Sequence, residues 1–131
     1  MERKSILVIE DHASIRLLLS KFLEKTYDVV TKRDGMDGLT WLSQGNLPDL
    51  IILDMSMPRL SGVEFLTNIR SSGFFKDLPV IVVSAEEGKG LVEQCHQLGI
   101  KGFINKPFNP IELHDKIAQI LLPKRKSISN S

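Results

Sequence analysis

Apolar residues gather in five short runs, at 6–9, 27–31, 50–53, 80–83 and 102–104. Each is rich in Ile and Val or carries an aromatic, and most stand beside Pro, Gly or Asp, which predicts five β-strands. The first, third and fourth runs are apolar throughout. That pattern suits central parallel strands covered on both faces, and the two weaker runs suit flanking positions. Between the runs the period changes from two to about 3.6. Ile15, Leu18, Leu19, Phe22 and Leu23 predict one apolar helix stripe. Leu39 and Leu42 mark a second helix, between Gly35 and Gly45. Val63, Leu66 and Ile69 mark a third, with Ser61 and Glu64 spaced as a capping box. Leu91, Cys95 and Leu98 mark a fourth, closed by Gly99. Leu113, Ile117, Ile120 and Leu121 mark a fifth, opened by Asn109 as N-cap and Pro110 at the first helical position.

Strict β–α alternation predicts an α/β fold, a parallel sheet with helices on both faces joined by right-handed crossovers. With 131 residues and 42% hydrophobic content, the chain suits one domain with a real core. The formal net charge is +1, unevenly spread. Three of the 17 lysines and arginines are Lys124, Arg125 and Lys126, with no acid after them, so residues 1–123 hold 14 bases against 16 acids. That balance gives no reason to expect the body to bind nucleic acid or membrane. Residues 123–131 read as a basic, polar tail or the start of a linker. One cysteine, Cys95, excludes an internal disulfide and suits a reducing cytoplasm. The N-terminal apolar run is too short for a signal peptide, and no stretch approaches a membrane span.

In open parallel sheets, ligands bind beyond the carboxyl ends of the strands. Glu10 and Asp11 follow the first strand, Asp54 the third, Ser84 the fourth, and Asn105, Lys106 and Pro107 the fifth. After the second strand there is only the turn signal Asp34-Gly35. Two carboxylates about 4 Å apart repel by roughly 4 kcal/mol at an effective dielectric of 20. Such a cluster therefore invites a cation. Lys106 supplies one charge, and Mg²⁺ held by Asp11 and Asp54 would supply two more. No Cys/His pair has zinc-ligand spacing. The metal, Lys106 and the Ser84 hydroxyl could each address one oxygen of a phosphoryl group on Asp54. His12, His96 and His114 read as surface or helix histidines, Cys95 as core and Trp41 as partial core.

The ordered set Glu10-Asp11, Asp54 in "DMSMP", Gly62, Ser84-Ala85, Phe103 and Lys106-Pro107 resembles the receiver domain of two-component response regulators, the CheY-like family, over about residues 5–122. The resemblance implies a flavodoxin-like (βα)₅ fold with strand order 2-1-3-4-5 and a receiver domain at 1–122. It implies that Asp54 is the phosphoacceptor. Asp11, Asp54 and the Ser56 backbone carbonyl would ligate Mg²⁺, with Glu10 acting through water. Ser84 and Lys106 would bind phosphoryl oxygens, Phe103 would be the switch aromatic, and the Lys106–Pro107 bond would be cis. The domain would catalyse its own phosphorylation and slow dephosphorylation, with no turnover of an external substrate. Its partners would be a sensor histidine kinase or phosphotransfer protein and a downstream output, reached through helix four, strand five and helix five. A homodimer through helices four and five stays open, as does a degenerate receiver used as a phosphorylation-independent binding module. Gly88 and Gly90 weaken the start of the fourth helix, which suggests a mobile element of the switch surface. A dehalogenase-type phosphatase would want a second Asp at position 56, which is Ser56, and no G-x-G-x-x-G follows the first strand.

Overall fold

A computed structural model describes residues 3–57, 59–85 and 89–122, the side chain of Lys89 excepted. Pro58, the basic tail and the Gly88 part of the fourth-helix expectation lie outside the described residues. The elements alternate strictly: β1 (Ser5–Ile9), α1 (Ala13–Leu23), β2 (Asp28–Lys32), α2 (Gly35–Ser43), β3 (Leu50–Asp54), α3 (Gly62–Arg70), β4 (Val80–Ser84), α4 (Lys89–Gln97), β5 (Gly102–Asn105) and α5 (Pro110–Leu121). All strand pairs are parallel, in the order β2-β1-β3-β4-β5. The three wholly apolar runs are the three central strands, and the two weaker runs are the edges. β3 and β4 are buried at every position, because both of their faces are covered and no residue can turn to water.

The strand period of two divides the core. Leu7, Ile9, Ile51, Leu53, Val80 and Val82 face α2, α3 and α4, and pack with Leu42, Phe65, Leu66, Ile69 and Cys95. Ile6, Val8, Leu50, Ile52, Ile81 and Val83 face α1 and α5, and pack with Leu19, Leu23, Leu113, Ile117 and Leu121. Trp41 sits partly buried against the first of these clusters.

The helix ends follow local rules. Ser61 and Glu64 form both bonds of the capping box that opens α3. Asn109 accepts from the Ile111 N–H, with Pro110 next to it, at the start of α5. Gly99 follows α4 at φ +74°, in the left-handed region that glycine enters without a Cβ penalty. One element departs from its pattern. Leu18 is 57% exposed, although its spacing places it on the α1 stripe. The buried stripe is centred near Leu19 and Leu23. Leu18 lies about 100° around the helix from Leu19, outside the contact with the sheet.

Candidate functional site

Register brings the acidic residues together. β1 and β3 pair as Val8↔Ile52 and Ile9↔Leu53. One step on come Glu10, just past the end of β1, and Asp54, the last residue of β3, so two carboxylates follow neighbouring strands about 4.8 Å apart. By alternation both point to the same face as Ile52. Each residue is 2% exposed. Asp11 starts the β1–α1 loop, where the Arg16 guanidinium donates to the Glu10 and Asp11 carbonyls at 2.8 and 3.2 Å. The Arg16 contact fixes the loop from inside α1.

Lys106 enters from the far side of the sheet. Its N–H donates to the Ser84 carbonyl at 2.8 Å, which extends the β4–β5 ladder past the end of both strands. Its Nζ reaches Glu10 Oε1 at 2.8 Å and Asp54 Oδ1 at 3.4 Å. The Lys106–Pro107 bond is cis. The Ser56 N–H donates to Asp54 Oδ1 at 3.3 Å, so that oxygen has two partners. Asp54 Oδ2 and Asp11 Oδ1 are buried and make no hydrogen bond. Asp11 Oδ1 does lie 3.2 Å from His12 Nδ1, which is ion-pair distance.

The electrostatics follow from this crowding. Burial, then the Glu10 charge and the nearby Asp11 carboxyl, push the Asp54 carboxyl up to about 7, against the pull of Lys106 and the Ser56 N–H. Asp11 behaves in the opposite way. Burial works to raise it, but its close neighbours Asp54, Glu10 and His12 outweigh that and hold it below the ordinary carboxylate value. Burial likewise works to lower Lys106, and Glu10 and Asp54 more than offset it, raising the ammonium.

His12 is the residue that sequence reasoning missed. It is not an idle surface histidine. Its Nδ1 lies 3.1 Å from Glu10 Oε2 and its N–H donates to the same oxygen at 3.1 Å. Hydrogen bonding to Glu10, then the Asp11 charge, raises its pKa. Glu10, Asp11, His12 and Asp54 each offer a ligand atom within 4.8 Å of the others. Buried oxygen donors, two of them without a hydrogen bond, fit a divalent cation. The set is acidic, and an ion would satisfy the buried oxygens that the protein leaves alone.

The other residues of the expected set lie on neighbouring segments. Ser84 ends β4, fully buried, one residue past the Asp54↔Val83 register pair. Ser56 is exposed in the β3–α3 loop. Phe103 pairs with Val82 on β5 and packs, partly buried, on the α2–α4 side of the sheet. The turn signal Asp34-Gly35 does more than turn. Asp34 caps α2 by accepting from the Asp37 N–H, and it also accepts from Arg59 Nε at 3.0 Å. Arg59 has φ +68° and also bonds Asp37 at 3.2 Å. The β3–α3 loop is thereby tied to the start of α2, a link across 25 residues that no local pattern announces.

A family model for the response regulator receiver domain matches residues 6–118. The chain is 31% identical over 117 residues to the chemotaxis protein CheY-3 of Vibrio cholerae, a match covering 88% of this chain and 89% of that protein. It is 32% identical over 120 residues to the hybrid signal transduction histidine kinase D of Dictyostelium discoideum, where 92% of this chain spans only 8% of the relative. Among solved structures, the phosphorylated cyanobacterial phytochrome response regulator RcpA superposes with a TM-score of 0.81 at 29% identity, covering 95% of this chain and 97% of that one. No helix among the described residues is long and apolar enough to cross a membrane. With the β2-β1-β3-β4-β5 sheet, the acidic pocket at its carboxyl edge and the match over residues 6–118, this chain belongs to the response regulator receiver domain family, whose work is phosphorylation-dependent signalling in two-component systems.

Proposed function

We propose that Asp54 accepts a phosphoryl group from a histidine kinase or phosphotransfer protein, and that the phosphorylated domain acts on a downstream protein or output domain. One observation carries the reading. Asp54 is a carboxylate 2% exposed, with one oxygen held by Lys106 and the Ser56 N–H and the other without a hydrogen bond. A purely structural aspartate would have both oxygens satisfied. Lys106 and the Ser56 N–H restrain one oxygen, and the carboxylate keeps unsatisfied capacity for a cation and a phosphoryl group.

In the transfer, a carboxylate oxygen of Asp54 forms a bond to phosphorus as the P–N bond of the phosphohistidine breaks, and the imidazole nitrogen keeps that electron pair and takes up a proton. The carboxylate is the nucleophile only when ionised, and Lys106 favours that form. Asp11, Asp54 and the Ser56 carbonyl would hold Mg²⁺, with Glu10 acting through water. The ion supplies positive charge to a reaction that depends on positioning and neutralisation. Lys106 and Ser84 would bind phosphoryl oxygens. Slow hydrolysis by water would reset the domain, with no turnover of an external substrate. The receiver spans 1–122, and residues 123–131 are a tail or linker. RcpA is a phosphorylated response regulator at 29% identity, and the Dictyostelium relative is a histidine kinase that carries a stretch of this kind. Both support the phosphorelay assignment.

The test is incubation with acetyl phosphate and Mg²⁺, read by intact mass. A gain of one phosphoryl group is expected, lost with EDTA and in Asp54→Ala. An adduct that survives Asp54→Ala would overturn the assignment. The alternative, a phosphorylation-independent binding module, predicts no adduct and partner binding unchanged in Asp54→Ala.

A further inference from the structure

His12 is the member of the acidic pocket that the phosphoryl chemistry above leaves without a task. It follows Asp11 directly and stands at the pocket rim with its side chain 62% exposed. Its Nδ1 lies 3.1 Å from Glu10 Oε2 and 3.2 Å from Asp11 Oδ1. Glu10 divides its oxygens, with Oε1 on Lys106 at 2.8 Å and Oε2 on His12.

Two ligand atoms at about 2.1 Å from one ion, at right angles about it, lie about 3.0 Å from each other. The two His12 separations match such an edge to within about 0.2 Å. The His12 nitrogen thus stands at ligand-edge distance from one oxygen each of Glu10 and Asp11, and with a transition ion Glu10 binds directly in place of the water-mediated contact read for Mg²⁺. A separate observation also points to a ligand. Asp54 Oδ2, on a residue 2% exposed, has no hydrogen-bond partner, and Asp54 offers an oxygen within 4.8 Å of the other three ligand atoms.

An imidazole nitrogen changes which ion such a pocket prefers. Mg²⁺ favours oxygen ligands and keeps its waters, so it gains little from nitrogen. Affinity of a mixed nitrogen and oxygen site climbs from Mn²⁺ through Co²⁺ and Ni²⁺ to Cu²⁺. The geometry points to His12 Nδ1 as a direct ligand that makes this pocket a mixed nitrogen–oxygen site selective for first-row transition ions over Mg²⁺. The inference rests on the pocket being a divalent-cation site, as read under the proposed function.

Calorimetric titration of the untagged chain with Ni²⁺ alone and with Mg²⁺ alone tests it. In His12→Ala the Ni²⁺ affinity falls by about tenfold or more, and the Mg²⁺ affinity falls by less than about threefold. The pulsed EPR spectrum of the Cu²⁺-loaded chain shows imidazole nitrogen modulation, which His12→Ala removes. An unchanged ratio of Ni²⁺ to Mg²⁺ affinity, or nitrogen modulation that persists in the variant, overturns the inference. If the ratio ignores His12 while Mg²⁺ still binds and the Asp54 adduct still forms, the inference falls and the phosphoacceptor reading stands. If neither ion binds and no adduct forms, both fall.

Discussion

Asp54 costs the fold stability once its buried carboxyl ionises. Its carboxyl is pushed up to about 7 from an ordinary value of 3.8. The sign follows from linkage. Between those two values the folded chain binds more protons than the unfolded chain, so stability falls as pH rises through that window. Above about 7 the full cost is present, of the order of a few kcal/mol. Asp54→Asn removes the ionisation. In EDTA its urea midpoint is expected to exceed that of the wild type clearly at pH 8, and to converge with it toward pH 4. Equal gaps at pH 8 and pH 4 would show that the carboxyl does not titrate in this window. Divalent cation should shrink the gap at pH 8, since an ion compensates the buried charge.

At the scale of elements, the β3–α3 connection sets the position of Asp54. The Gly62 N–H donates to the Met55 carbonyl at 3.1 Å. A Cβ at Gly62 would come within 2.5 Å of Met55 Cε and 2.8 Å of Met55 Cα. The methyl end can swing away, but the backbone atom cannot move without moving the residue next to Asp54. Gly62→Ala is expected to cost about 1–3 kcal/mol in urea unfolding and to slow phosphorylation by acetyl phosphate, read by intact mass against time. Loss of stability with an unchanged rate would separate the turn from the site. Much of this scale was legible in the sequence. The capping box at Ser61 and Glu64, the Asn109-Pro110 start and the Gly99 stop depend on neighbours three or four residues away, so local spacing specifies them. Arg59 was not legible. Its partners Asp34 and Asp37 are 25 and 22 residues distant, and its positive φ carries no signature in a residue that rarely adopts it.

For the whole molecule, the proposed phosphorylation of Asp54 would have to reach a surface away from it. Shifting a two-state equilibrium from about 1% to 99% requires roughly 5.5 kcal/mol of differential stabilisation. A phosphoryl mimic, beryllofluoride with Mg²⁺, is expected to change hydrogen-exchange protection in α4, β5 and α5 while β1 and α1 stay unchanged beyond the Asp11 loop. Protection that stays flat from residue 89 to residue 122 would count against a switch on this surface.

The order of apolar and polar letters is enough to give the number of strands, which three are central, and which polar residues stand at their carboxyl ends. Burial on two faces writes a continuous apolar run, and a strand end is where that run stops, so both are one-dimensional signals. It also named the polar groups that meet, since Glu10, Asp11, Asp54 and Lys106 all converge. How those groups act on one another depends on the folded arrangement. Lys106 meets Glu10 across 96 residues, and the raised Asp54 carboxyl depends on depth and on neighbours from another strand. His12 turned from a surface histidine into a pocket residue, and Leu18 from a stripe residue into an exposed one, for the same reason. Sheet register and helix docking set distances between remote side chains, and neither is encoded in the spacing of adjacent letters.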